Sequence, residues 1–200
     1  MIWSTYSSSL AKLVGVLKMS DEADVITYVT EHGTVPVRNT LSLEVALAAI
    51  IAAVYAVGTV MLAPVSFLAI QVRLTDCLIP LAFYLRRPAV AGVTIGNVVA
   101  NLFSPFGFID IIIGTVANFL AAASCMYAPK WYVSGLSASA IVAMMVGTEL
   151  AFFYGTDLWV MLVISVWIGS LISMVLIGNV LLAAVKKAFP FEIQLFRKWR

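Results

Sequence analysis

Pro64-Val65-Ser66-Phe67-Leu68-Ala69-Ile70-Gln71-Val72-Arg73-Leu74-Thr75-Asp76 places an amide, a guanidinium and a carboxylate inside an otherwise apolar expanse. Before it, no charge occurs from Val45 to Val72. After it, uncharged stretches run from Pro88 to Ile109, Ile111 to Pro129, Trp131 to Thr148 and Leu158 to Val185. Each is close to or above the roughly 18 apolar residues that suggest a membrane helix. A shorter apolar piece, Thr75 to Leu85, follows the quoted stretch directly. Six spans result, and in lipid they are helices, because a helix satisfies its own backbone groups. Composition agrees. The 200 residues are 62% hydrophobic and 11% charged, against about 25% charged in soluble domains.

The placement of charge then selects a topology. With the N-terminus inside, Lys12, Lys18 and Arg38 precede the first span, and Arg86 and Arg87 fall in the second loop. Lys130 falls in the fourth loop, and Lys186, Lys187, Arg197, Lys198 and Arg200 follow the last span. All of these are cytoplasmic, and Arg73 alone is outside. An excess of Lys and Arg on the cytoplasmic side is the rule that sets orientation, so six spans with both termini inside fit. Cys77 and Cys125 then lie near opposite faces and are expected to be reduced packing residues.

Residues 1–40 carry no signal-peptide pattern. Leu10, Leu13, Val14 and Leu17 recur at helical spacing beside Lys12 and Lys18, which predicts an amphipathic helix on the inner surface. Ser20 followed by Asp21, Glu22 and Asp24 predicts a second helix, with Val25, Tyr28 and Val29 as its apolar face and His32-Gly33 as its end. The expected organisation is a cytoplasmic extension (1–40), a six-helix transmembrane substrate-binding domain (41–187) and a basic cytoplasmic tail (188–200).

Within the spans, Ala48, Ala52 and Ala56 share one face of the first helix, and Ala49 and Ala53 the neighbouring one. Small residues at such spacing let helices approach closely in lipid, either inside this chain or against a partner subunit. Ser165, Gly169 and Ser173 form a similar stripe in the sixth span. The second span is too short to cross an ordinary bilayer unaided. Pro88 suits a helix start, and Ser104-Pro105-Phe106-Gly107 reads as a tight turn.

Odd spans run outward and even spans inward. Gln71, Arg73, Asp76, Asn97, Asn101, Asp110, Glu149 and Asp157 therefore all fall in the outer half or at the outer rim. An Asp or Glu inside a membrane helix costs roughly 2.5–3.5 kcal/mol on insertion scales and reads first as functional. The plain alternatives are snorkelling to the interface, or a structural pair such as Arg73 with Asp76. Together these residues predict an outward-facing polar pocket for a small, flat, polar molecule. Aromatic rings would supply stacking area, and a carboxylate would accept two adjacent N–H groups. The sequence holds no GxxxxGK[ST], HExxH or GxSxG motif and no Cys/His cluster, so neither ATP hydrolysis, intramembrane catalysis nor a resident metal or cofactor is expected.

Ala52-Ala53-Val54-Tyr55-Ala56, Ile70-Gln71-Val72-Arg73-Leu74-Thr75-Asp76, Gly92-Val93-Thr94-Ile95-Gly96, Ala100-Asn101 and Ile109-Asp110-Ile111-Ile112-Ile113-Gly114 resemble, in order, the QueT family. These look like substrate-binding S components of energy-coupling-factor (ECF) transporters. The resemblance covers about Leu43 to Ala123. It implies a six-helix subunit in the cell membrane that captures a 7-deazaguanine precursor of queuosine or archaeosine. It also implies a partner T component and two cytoplasmic ATPases, with the alanine motif of the first helix, Ala49, Ala52, Ala53 and Ala56, docking the partner. The sequence departs from the family pattern at Asp76, usually Glu, at Asn97, often Cys, and at Gly169-Ser170, where a Gly-Glu pair is expected. Glu149 is the acidic residue available to compensate. On this reading Glu149 accepts the guanine-like N–H edge, and Asn97 and Asn101 bond the ring amide. Gln71, Arg73 and Asp76 shape a lid, and Asp110 anchors the fourth helix beneath the site. The competing readings are an S component for another vitamin-like solute and a membrane scaffold subunit with no small ligand.

Overall fold

The computed structural model describes residues 16–19, 26–30, 33–37, 40–62 and 73–188. The chain divides into two units, residues 1–45 and 46–200.

In the first unit, the helices expected over Leu10 to Leu17 and Ser20 to Gly33 are not what forms in the described residues. Three strands occur instead: β1 (Val16–Met19), β2 (Ile26–Thr30) and β3 (Gly33–Val37). They make an antiparallel sheet in the order β1-β2-β3, with Val16 opposite Val29 and Ile26 opposite Val37. The cause is local. Ile26-Thr27-Tyr28-Val29-Thr30 is a run of β-branched and aromatic residues, which fit a pleated strand better than a helix. Gly33 and Pro36 are poor in a helix interior. That composition outweighs the helical spacing of Val25, Tyr28 and Val29. Ser20 and the segment Leu10 to Val14 lie outside the described residues.

From Thr40 onward the regular structure is helical throughout the described residues, as the apolar runs predict. Six helical segments follow: α1 (Thr40–Met61), α2 (Leu74–Leu85), α3 (Arg87–Asn101), α4 (Phe108–Tyr127), α5 (Trp131–Tyr154) and α6 (Thr156–Lys187). Four of them, α1, α4, α5 and α6, are long and apolar enough to cross a membrane. At 1.5 Å per residue, the 15 residues of α3 reach about 22 Å, short of a hydrocarbon core about 30 Å thick. Exposed Val57, Met61, Ile95, Phe152, Val160 and Val180 give the bundle an apolar exterior, which suits lipid and not water.

Two departures from regular helix were not legible in the periodicity. The first eight residues of α2, Leu74–Leu81, are 3-10 helix with Pro80 inside, where the ring removes one backbone donor. In α6, Leu171–Ile177 winds as π-helix. Both forms concentrate at functional or strained positions, and here Ser173 in the π segment donates to the carbonyls of Arg73 (2.8 Å) and Leu74 (3.1 Å). Pro88 does sit in the first turn of α3, and Gly107, at φ 70°, ends the turn before α4.

Helices α1 and α3 touch backbone to backbone. A Cβ on Gly96 would stand 2.7 Å from the Ala52 carbonyl oxygen, and one on Gly92 2.8 Å from that of Ala48. Ala48 and Ala52 therefore spend their small size inside the chain. Between these helices and α4 to α6 lies the core, with Ile79, Val93, Ala117, Leu150, Met174 and Leu182 all buried. Cys125 is buried and donates to the Ser134 carbonyl oxygen at 3.2 Å, and both cysteines are free thiols.

Candidate functional site

At one end of the bundle, where α1, α3 and α5 finish and α2, α4 and α6 begin, the apolar core gives way to polar side chains. Tyr55, Arg73, Asp76, Asn97, Asn101, Asp110, Asn118 and Glu149 are all buried there. Each comes from an apolar helix or its edge, and the spacing explains how they meet. Asn97 and Asn101 are one helical turn apart on α3, and Asp110, Gly114 and Asn118 follow each other at turns of α4.

Tyr55 is the hub. Its hydroxyl donates to Asp76 Oδ1 at 2.5 Å and accepts from Asn118 Nδ2 at 2.7 Å. A phenol has one proton, so Asn97 Oδ1, 3.4 Å from the same hydroxyl, takes its main bond elsewhere: Arg73 Nη1 donates to it at 2.8 Å. One network thus joins α1, α2, α3 and α4. Beside it, Thr59 and Thr75 share a hydroxyl bond of 2.6 Å that again links α1 to α2. Asn101 Nδ2 donates to the Asp110 carbonyl at 2.8 Å and lies 3.4 Å from its Oδ1, which ties the end of α3 to the first turn of α4.

These bonds also fix what is left over. Arg73 can only donate, so Asn97 must turn its oxygen to Arg73 and its Nδ2 away. A backbone carbonyl can only accept, so Asn101 must turn its Nδ2 to Asp110 and its Oδ1 away. Asn97 Nδ2, Asn101 Oδ1, Asp110 Oδ2 and both carboxylate oxygens of Glu149 have no hydrogen-bond partner among the described residues. Leaving such groups unsatisfied costs about 1–3 kcal/mol each, more for a charged one. Glu149, only 4% exposed, is within electrostatic range of Asp110 and Arg73. Gly114 lets the polar side chains lie directly against α4: a Cβ there would meet Asn101 Nδ2 at 2.5 Å, Asp110 Oδ1 at 3.2 Å and Asn97 Nδ2 at 3.4 Å. The result is a buried set of several acceptors and one amide donor, with Asn97, Asn101 and Asp110 gathered at a glycine.

A sequence model of the QueT transporter family matches residues 45–187. The chain belongs to the QueT transporter family. The matched region contains every residue of the polar cluster and all of the bundle from Val45 of α1 to the end of α6. Membership carries a transport role rather than a catalytic one, on a small-molecule substrate, and with four membrane-length apolar helices it marks a membrane protein. Among curated proteins and among solved structures no match is found.

In this QueT-family chain, the positions singled out from sequence sort as follows. Arg73, Asp76, Asn97, Asn101, Asp110 and Glu149 are buried at the same end of the bundle. Asp157 is exposed, in the turn before α6. Gln71 lies outside the described residues. Arg73 is buried and reaches across to α3. Of the alanines, Ala56 is buried and Ala52 meets Gly96, whereas Ala49 and Ala53 are exposed.

Sequence reasoning gave no role to Tyr55 or Asn118 and read Ser173 as packing alone. A signal existed for two of them. Asn118 continues the four-residue spacing from Asp110 and Gly114. Tyr55, with Thr59 one turn on, breaks an alanine-rich helix with hydroxyls. At the rim, Phe106 from the α3–α4 turn packs on the end of α5, its ring tilted against Phe153 at 5.2 Å and edge-on to Tyr154 at 6.1 Å.

Proposed function

We propose that this protein is the substrate-binding S component of an ECF-type uptake transporter in the cell membrane, capturing a 7-deazaguanine precursor of queuosine or archaeosine from outside. Six spanning helices with both termini cytoplasmic, as the basic residues favour, put the polar cluster at the outer end. The observation that carries the reading is the leftover pattern of bonding groups in a chain of a transporter family. Both oxygens of Glu149 suit the adjacent N–H and NH2 donors of a guanine-like edge, a charge-assisted bidentate contact. Asn97 Nδ2 suits the ring carbonyl next to that edge. Asn101 Oδ1 and Asp110 Oδ2 suit further N–H groups, and Gln71, Arg73 and Asp76 shape the lid. ATP hydrolysis belongs to two partner ATPases, coupled through a T component that docks on Ala49 and Ala53 of α1.

Thermal unfolding and calorimetric titration of the purified chain with 7-cyano- and 7-aminomethyl-7-deazaguanine, guanine and unrelated vitamins test the proposal. Ligand at a hundredfold excess over Kd stabilises the folded state by about 2.7 kcal/mol. A shift confined to deazaguanines is expected. A shift with a different solute keeps the capture role and removes this substrate. A well-folded sample that responds to none favours the scaffold alternative.

A further inference from the structure

At the opposite end of the bundle, a groove of about 500 Å³ runs along the outer surface between α3 and α4. It is lined by Ile95 and Phe119, both exposed, by Val90 and Met126, and by the small side chains of Ala91 and Ala123. The one hydroxyl from α3, Thr94 Oγ1, donates back to the Val90 carbonyl at 2.7 Å, so it has no proton to offer an occupant. Among the described residues, charge enters at one place. Arg87, exposed at the first residue of α3, lines the mouth. Beside it, Arg86 Nη1 donates to the Met126 carbonyl at 3.1 Å, at the end of α4. The backbone of Arg86 holds φ 55°, and it is the one non-glycine residue with positive φ among the described residues. That conformation is costly for an L-residue and is maintained where the two guanidinium groups part, one to the α4 terminus and one to the groove.

An apolar trough capped by a single arginine has the polarity of a phospholipid read from tail to head. Basic groups between membrane helices on the cytoplasmic side attract anionic headgroups, and this is the end that the basic residues assign to the cytoplasm. We propose that the α3–α4 groove is a binding site for one anionic phospholipid, with an acyl chain along Val90, Ile95 and Phe119 and the headgroup phosphate on Arg87. The site is separate from the polar cluster and does not depend on what that cluster binds. It also covers α3, whose 15 residues fall short of the hydrocarbon core.

The test uses the full chain in a neutral detergent. Phosphatidylglycerol and phosphatidylcholine with identical acyl chains are added at equal concentrations. Thermal unfolding is followed, and retained lipid is counted by native mass spectrometry. Phosphatidylglycerol is expected to raise the unfolding midpoint by several degrees more than phosphatidylcholine, with one molecule retained per chain. Arg87→Gln should abolish the difference between the two lipids. Ala91→Leu, which narrows the groove and leaves the charge in place, should lower the retained phosphatidylglycerol at least tenfold. Equal shifts with both lipids overturn the proposal. So does an Arg87→Gln chain that keeps the preference, or an Ala91→Leu chain that folds and retains lipid as before. Glycerol 3-phosphate giving the full shift by itself also overturns it, since the headgroup would then bind without the groove.

Discussion

Tyr55 on α1 and Asp76 on α2, 21 residues apart, are joined by a hydroxyl–carboxylate bond of 2.5 Å. The same hydroxyl accepts from Asn118 on α4, so one oxygen holds three helices at the polar end. Tyr55→Phe keeps the ring and removes that oxygen. Asp76 and Asn118 then each lose a buried partner, at about 1–3 kcal/mol apiece. The expected result is a clear fall in the thermal unfolding midpoint together with weaker ligand binding. An unchanged midpoint would mean that the network contributes nothing net to stability.

Glu149→Gln separates binding from folding. Neither carboxylate oxygen has a bonded partner among the described residues, so the neutral isostere breaks no internal bond and removes a buried charge. Stability should hold or rise. Ligand affinity should fall roughly 10- to 100-fold, the equivalent of one charge-assisted hydrogen bond of about 1.5–3 kcal/mol. The buried cluster also carries three carboxyl groups, Asp76, Asp110 and Glu149, to one guanidinium, Arg73. That imbalance favours 7-aminomethyl- over 7-cyano-7-deazaguanine, since the amine brings a positive charge, and the preference should shrink in Glu149→Gln. Calorimetry on both proteins with both ligands gives the comparison, and equal affinities of variant and parent would remove Glu149 from the site.

Much of this was legible in the sequence, because lipid imposes a strong one-dimensional constraint. Charge-free runs located the helices, and the rarity of buried Asp and Glu pointed to Asp110 and Glu149. Pro88 and the Ser104–Gly107 turn announced themselves through backbone chemistry. What stayed hidden depends on partners from other helices. Ser173 sits on an apolar helix with ordinary spacing, and only the π segment and the approach of α2 give its hydroxyl two carbonyls. Tyr55 reads as one more aromatic until Asp76 and Asn118 are brought to it. At the N-terminus, helical spacing competed with β-branched composition over Ile26 to Thr30, and composition won.

Gly96→Ala sets two effects of opposite sign against each other. In an open helix position, replacing Gly by Ala gains up to about 1 kcal/mol of helix propensity. Here the added Cβ stands 2.7 Å from the Ala52 carbonyl and 2.8 Å from Tyr55 Cβ. Overpacking of this kind costs about 1–3 kcal/mol, and the obstacle includes backbone, which cannot rotate away. The net effect should be destabilising. Because α1 is pushed at Tyr55, ligand affinity should fall as well. A variant more stable than the parent would show that α1 and α3 are not held as close as the glycine requires.

The two alanine faces of α1 make different predictions for the same substitution. Ala52 is pinned against Gly96, so Ala52→Leu should destabilise the isolated chain. Ala53 is exposed, as is Ala49 one turn before it, so Ala53→Leu adds an apolar side chain to a surface already suited to lipid. Unfolding midpoint and ligand affinity should stay within error of the parent. If α1 docks the T component through this face, close helix approach depends on small residues there, and the added isobutyl group separates the two helices. Co-purification of the tagged chain with the proposed T component and ATPases should then drop at least tenfold, equivalent to about 1.4 kcal/mol of interface energy. An Ala53→Leu chain that folds, binds ligand and still recovers the full complex would place the docking surface elsewhere on the bundle.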